Sequence, residues 1–196
     1  DWGAFLRFLQ LAAREAGNIV NLAALSQETG VSIPTVKSHY QLLEDMHVGF
    51  SLPAYSGSSR KSLLSTPRFY FFDLGVRHGA AGLNPSPDTV MAHPGPVFEQ
   101  WVGLELWRRL KYLGGGTLSY YRTKSGGEVD FVVERGGLAI PIEAKWTERP
   151  DSRDIRQILA FMKDAGRRAR EGFVVCRCGH PLRLADRVTA VPWWMI

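Results

Sequence analysis

Along the first part of the chain apolar side chains recur every three or four positions, and further on the period shortens to two. Trp2, Phe5, Leu6, Leu9, Ala12, Ala13 and Ala16 mark one stripe of a helix that Gly17 is placed to end. Asn21 suits the cap of a second, short helix stopping at Gly30, and Ser32 the cap of a third in which Val36, Tyr40, Leu43 and Met46 share a face. Phe50, Ser51 and Leu52, then residues 68–72, read as two strands around the polar stretch 56–61.

Three helices with the tight turn Thr29-Gly30-Val31-Ser32, followed by a hairpin, make the pattern of a winged-helix domain over residues 1–84. Its third helix would turn Thr35, Lys37, Ser38 and Gln41 outward, and Lys37, with Arg60 and Lys61 in the wing, is a candidate for phosphate contact. Seven Lys and Arg stand against six Asp and Glu in this segment, a balance that supports DNA binding only weakly. A packing or dimerisation module of the same shape is the alternative.

Pro and Gly crowd residues 84–96, which reads as a linker, so a second domain is expected over 85–196. There a helix outlined by Val97, Trp101, Val102, Leu104, Leu106 and Leu110 precedes strand-like runs at 117–123, 128–134 and 138–146. A helix at 152–165 and strands at 172–178 and near 187–193 complete an α/β (α+β) pattern.

Gly136-Gly137 is a favoured two-residue hairpin turn, and it fixes what lies opposite what. Val129 then faces Ala144, Phe131 faces Ile142 and Val133 faces Ile140, three apolar pairs on a core-facing surface. The same register sets Asp130 opposite Glu143 and Glu128 opposite Lys145 on the other face. Carboxylates with Cβ atoms ~5 Å apart repel unless something offsets them. A hard divalent cation would do so, and Lys145, two positions beyond Glu143, could steady charge developing beside it. Ordinary surface charges screened by Lys145 are the alternative.

Composition narrows the setting. With 45% hydrophobic and 22% charged residues, and no apolar run near the ~20 residues that span a bilayer, no membrane segment is expected. Lys and Arg exceed Asp and Glu by 24 to 19, a balance that suits a phosphate-bearing partner. Two cysteines, Cys176 and Cys178, cannot frame a disulfide scaffold, and a reducing, cytoplasmic location is expected. With His180 they fall one ligand short of a tetrahedral zinc site and read as strand neighbours. Asp1-Trp2-Gly3 has no features of a secretion signal, and the chain reads as part of a longer one.

Glu99 on the opening helix, Asp130, and Glu143-Ala144-Lys145 together resemble the PD-(D/E)XK nuclease superfamily, with its restriction-endonuclease-like αβββαβ fold. The runs 95–99, 121–131 and 142–145 more narrowly resemble the C-terminal region, winged helix plus domain of unknown function, of prokaryotic AAA+-like ATPases. The resemblance implies that Asp130, Glu143 and Glu99 ligate Mg²⁺ or Mn²⁺ and that Lys145 assists phosphodiester hydrolysis. It also implies nucleic acid, DNA foremost, as partner, together with an N-terminal ATPase; no P-loop motif occurs in this chain. Gln157 resembles a glutamine that some superfamily members hold beside the site, and Arg122 and Lys124 are placed to grip a phosphate backbone. Arg167-Arg168-Ala169-Arg170 reads equally well as a solvated helix end. The competing functions are a catalytically inactive DNA- or protein-binding module and a plain transcriptional regulator.

Overall fold

The computed structural model describes residues 1–56, 66–84, 86–123 and 126–196. Arg60, Lys61 and Lys124 lie outside them, so the expectations placed on those three have no structural counterpart here. The chain divides into two units: Asp1–Leu52 with Thr66–His93, and Pro94–Ile196 with the segment that begins at Pro53.

Side-chain caps set the helices of the first unit. The Asp1 carboxylate accepts the Gly3 N–H at 2.9 Å and starts α1 (Trp2–Arg14). Asn21 Oδ1 accepts the Ala24 N–H at 3.1 Å to start α2 (Leu22–Thr29), which Gly30 ends at φ +73°. Ser32 caps α3 (Ile33–Asp45) by accepting the Thr35 N–H at 3.3 Å. Strands β1 (Gly49–Leu52) and β2 (Arg68–Phe71) pair antiparallel. Phe8, Leu25, Val36, Phe69 and Phe71 fill the core between these elements. Two details differ from the sequence pattern. The buried stripe of α1 runs through Ala4, Phe8 and Ala12, leaving Trp2 and Leu6 exposed, and Met46 lies beyond the buried face of α3 at 61% exposure.

Ahead of the expected linker Asp73 caps α4 (Leu74–Ala80), and the linker itself carries α5 (Pro87–Ala92), which Ser86 caps and whose proline sits at a helix start where its missing N–H costs nothing.

In the second unit α6 (Pro94–Tyr112) is followed by β3 (Thr117–Arg122), β4 (Glu128–Arg135), β5 (Leu138–Ala144) and α7 (Arg156–Ala165). Then come β6 (Gly172–Cys176), β7 (Leu182–Ala185) and β8 (Val188–Pro192). The strands form one mixed six-stranded sheet in the order β3-β4-β5-β6-β8-β7, with β5–β6 and β6–β8 parallel. The sequence pattern anticipated a single strand where the β7–β8 hairpin stands. Helices cover both faces of the sheet. Val132, Ala139, Val174 and Ala190 meet Ile158, Phe161 and Met162 of α7, and α6, absent from that cluster, packs on β3, β4 and β5. The expected polar face therefore does not exist as such. Pro53 O accepts the Tyr120 N–H at 3.0 Å and Ala54 bridges Tyr120 in parallel, so this segment lines the outer edge of β3.

Cys176 and Cys178 are free thiols buried in the α7-side core; Cys176 ends β6 while Cys178 lies two residues beyond the strand, not on it as expected, and His180 is exposed. Among the described residues no helix is long and apolar enough to cross a membrane.

Candidate functional site

The turn residues Gly136 and Gly137 take φ +58° and +78°, the left-handed pair that a type I′ hairpin needs. Phe131 pairs with Ile142 and Val133 with Ile140, the register the turn demands. Past Phe131 the ladder changes character. The Ala144 N–H donates to Asp130 Oδ2 at 2.9 Å, and the Asp130 N–H donates to Glu143 Oε2 at 3.4 Å. Two carboxylates thus stand in for backbone carbonyls between β4 and β5.

A break in β4 accompanies this. Ser119 pairs with Val132 and Tyr121 with Val129, so β4 spends three steps where β3 spends two, and the surplus residue falls at Asp130–Phe131. Such a bulge bends its strand and re-aims a side chain. It also corrects the face assignment of Val129, which joins Val132 in the α7-side core rather than sharing a face with Phe131.

Lys145 Nζ lies 2.9 Å from Glu143 Oε1, and the Lys145 N–H is anchored on Val175 O at 2.9 Å. The expected partnership of Lys145 with Glu128 is not made. Glu128 instead pairs with Arg122, Nε to Oε1 at 3.1 Å, because β4 and β5 part before reaching Glu128. Arg122, expected to hold phosphate, thus already has a carboxylate partner. Glu143 is 7% exposed, so it is not an ordinary surface charge. Burial first, then the Asp130 charge, pushes its carboxyl up to about 8 against the pull of Lys145. Burial draws the Lys145 ammonium down, but the charge of Glu143 outweighs it and leaves the lysine above its ordinary value. Near neutral pH the Glu143 carboxyl therefore keeps its proton in this pocket, and its ionisation would set a second negative charge beside Asp130.

The remaining candidates are distributed unevenly. Gln157, near the start of α7, brings its side-chain oxygen against the turn before β4: a Cβ built on Gly127 would lie 2.5 Å from Gln157 Oε1. It is half-buried rather than a free surface glutamine. Asp154, just before α7, acts electrostatically on Lys145, a neighbour that sequence spacing did not single out. Glu99 is half-buried on α6, and among the described residues no three His, Cys, Asp or Glu side chains are grouped to hold a metal ion. The expected trio Asp130, Glu143 and Glu99 is therefore not assembled as one cluster. The pair Asp130 and Glu143 still offers the oxygen-only donors that a Mg²⁺-type ion takes with one or two carboxylates and several waters. In the first unit Lys37, Ser38 and Gln41 are exposed on α3 as expected, Thr35 is half-buried, and Gln41 donates to Asp45 at 2.9 Å. Arg168, from the basic run, lies over the Tyr55 ring at 5.7 Å while Ala169 is fully buried, so the run is not simply a solvated helix end.

Residues 94–196 match the family described as Domain of unknown function (DUF4143), and residues 1–87 match that described as Domain of unknown function (DUF8612). No curated protein matches the chain. Among solved structures it is similar to a chain of a half-complex from the tetradecameric assembly of Thermococcus gammatolerans McrB AAA+ hexamers with bound McrC. That likeness has 13% identity and a TM-score of 0.35, covering 96% of this chain and 46% of that one. It is also similar to protein VC1899 from Vibrio cholerae, at 15% identity and a TM-score of 0.33, over 98% of this chain and 53% of that one. The chain spans about half the length of these solved chains.

Proposed function

This chain belongs to the family of the Domain of unknown function (DUF4143), and from that premise we propose that its second unit is a restriction-endonuclease-like, metal-dependent nuclease domain acting on nucleic acid, DNA foremost. The observation that carries the reading is the exchange across β4 and β5, where Asp130 and Glu143 each accept the other strand's N–H while Lys145 holds Glu143. Burial and the neighbouring Asp130 hold back ionisation of Glu143, and an oxygen-liganded divalent cation would favour the ionised pair by supplying a counter-charge. Asp130 and Glu143 would hold Mg²⁺ or Mn²⁺, and Glu99 is carried over from the family resemblance as a further ligand. When bound, such an ion neutralises charge developing on a phosphodiester and acidifies the water it carries.

The chain's own residues divide the remaining work. The backbone N–H groups of Ala144 and Asp130 fix the two carboxylates and prevent them from turning apart. Lys145, its backbone tied to β6, directs an ammonium toward the same place and would stabilise negative charge on a phosphate oxygen. The first unit is proposed as a winged helix whose α3 presents Lys37, Ser38 and Gln41. An ATPase of the AAA+ class is the proposed partner, carried over from the family resemblance.

The test is incubation of the purified chain with Mg²⁺ or Mn²⁺ and DNA and RNA substrates beside an Asp130→Asn control. Cleavage that the variant lacks supports the reading, and cleavage by both alike removes the site from it. A second reading is favoured by one contact: Lys145 already sits on Glu143 at 2.9 Å and partly offsets the charge without an ion. On that reading the unit binds without cutting, and the Asp130→Asn chain binds nucleic acid as the parent does.

A further inference from the structure

The parallel strands β5, β6 and β8 end nearly level, since Ala144 pairs with Val175 and Cys176 with Pro192. Directly after these ends come Lys145 and Trp146, Arg177, and Trp193. Open sheets gather their ligands beyond the carboxyl ends of parallel strands.

The rings at this end touch in series. The Arg177 guanidinium lies over Trp146 at 4.3 Å, positioned by a 2.7 Å ion pair with Glu148. Trp146 meets Phe98 at 5.4 Å, and Phe98 stacks on Trp101 with ring planes 14° apart. Trp101 meets Trp193 at 5.3 Å, and Trp193 meets Trp194 at 5.7 Å. The row therefore runs from the residue after Lys145 to Trp194, and its buried member, Phe98, immediately precedes Glu99. Trp193 and Trp194 are 41% and 54% exposed. Contiguous exposed indoles mark a surface that something covers.

We propose that this row is a stacking platform for the unpaired bases of a single nucleic-acid strand whose backbone passes Lys145. The inference rests on the reading of Asp130, Glu143 and Lys145 as a phosphodiester-facing site. Aromatic faces stack on any base, and an arginine on the same row adds cation–π attraction. Residues 85–196 carry 17 Lys and Arg against 13 Asp and Glu, which favours a polyanion over an apolar protein segment as the occupant. A duplex keeps its base faces inside the stack and offers these rings only its ends.

The experiment uses the whole chain in EDTA, titrated with oligothymidylate of about 12 nucleotides, an abasic strand of equal length, and a blunt duplex. Oligothymidylate should quench tryptophan emission and bind more tightly than the other two. Trp193→Ala and Trp194→Ala should each weaken it roughly five- to hundredfold, and Trp194→Phe should recover most of the loss. An abasic strand bound as tightly as oligothymidylate, or parental affinity in both alanine variants, overturns the platform. Cleavage is measured separately with Mn²⁺. Ring-dependent binding without cleavage defeats the nuclease reading and leaves the platform standing, whereas cleavage indifferent to both tryptophans does the reverse.

Discussion

Glu143→Gln separates the electrostatics of the site from its shape, because the amide has the size of the protonated carboxyl and cannot ionise. Its single oxygen can accept from Lys145 or from the Asp130 N–H but not from both, where Glu143 uses Oε1 for one and Oε2 for the other. In the folded chain burial, reinforced by Asp130, pushes the Glu143 carboxyl from 4.5 up to about 8. Between those values the native state holds a proton that the unfolded chain has released. A group raised in this way contributes stability that is full below about pH 4.5 and is lost as the pH rises through about 8. The slope is about 1.4 kcal/mol per pH unit, so the whole window is worth on the order of 5 kcal/mol. Glu143→Gln has no such slope. It should match the parent near pH 5 and exceed it by several kcal/mol at pH 8. Urea unfolding followed by tryptophan fluorescence reports the right unit, since five of the six tryptophans lie beyond residue 94. Mn²⁺ at pH 8 should restore stability to the parent and not to the variant, because an ion favours the carboxylate. Parallel stability profiles for the two chains from pH 5 to 8 would refute the reasoning.

Lys145→Ala should abolish most cleavage while Mn²⁺ binding by calorimetry persists, since the lysine acts on the transition state rather than on the ion; cleavage at the parental rate would sink that role. Asp130→Ala with Glu143→Ala should remove Mn²⁺ heat altogether, and an unchanged titration would mean the ion binds elsewhere. Gly172→Ala places a Cβ 2.5 Å from Ile158 Cγ2 and 3.2 Å from Pro141 Cγ, and should cost about 1–3 kcal/mol in thermal or urea unfolding. Phe161→Ala empties the centre of the α7-side core and should cost about 3–5 kcal/mol; a loss below about 1 kcal/mol would show that the core collapses to fill it.

The hairpin register was legible because a type I′ turn ties two positive φ angles to Gly136 and Gly137, and every later pairing follows by counting. The bulge was not, since it arises from how β4 meets β3 and no glycine marks it. Counting through it therefore misassigned Val129 and gave Lys145 to Glu128 when Arg122 holds Glu128. Burial of Glu143 was hidden for a related reason: alternation identifies a second face, but only tertiary packing tells whether α7 covers it. For α4 and α5 the signals were in plain view, Asp73 and the Ser86-Pro87 start, yet helices this short have no periodicity, and around α5 the proline density argues for a linker. Three-helix order and caps in the first unit were readable because Asn21, Gly30 and Ser32 act locally.

The Pro53–Tyr55 segment on the rim of β3 makes the second unit discontinuous in sequence. No single cut releases it whole: severing at Pro94 strips away Pro53 and Tyr55, whose backbones hydrogen-bond Tyr120 on the outer edge of β3. An unguarded sheet edge invites pairing with another copy of itself. A polypeptide begun at Pro94 should therefore self-associate in a concentration-dependent way on size-exclusion chromatography, and an added peptide spanning residues 53–56 should reverse it. The first unit, correspondingly, is split into two stretches of chain, so duplication or transplantation of either unit requires carrying its neighbour's intervening sequence along.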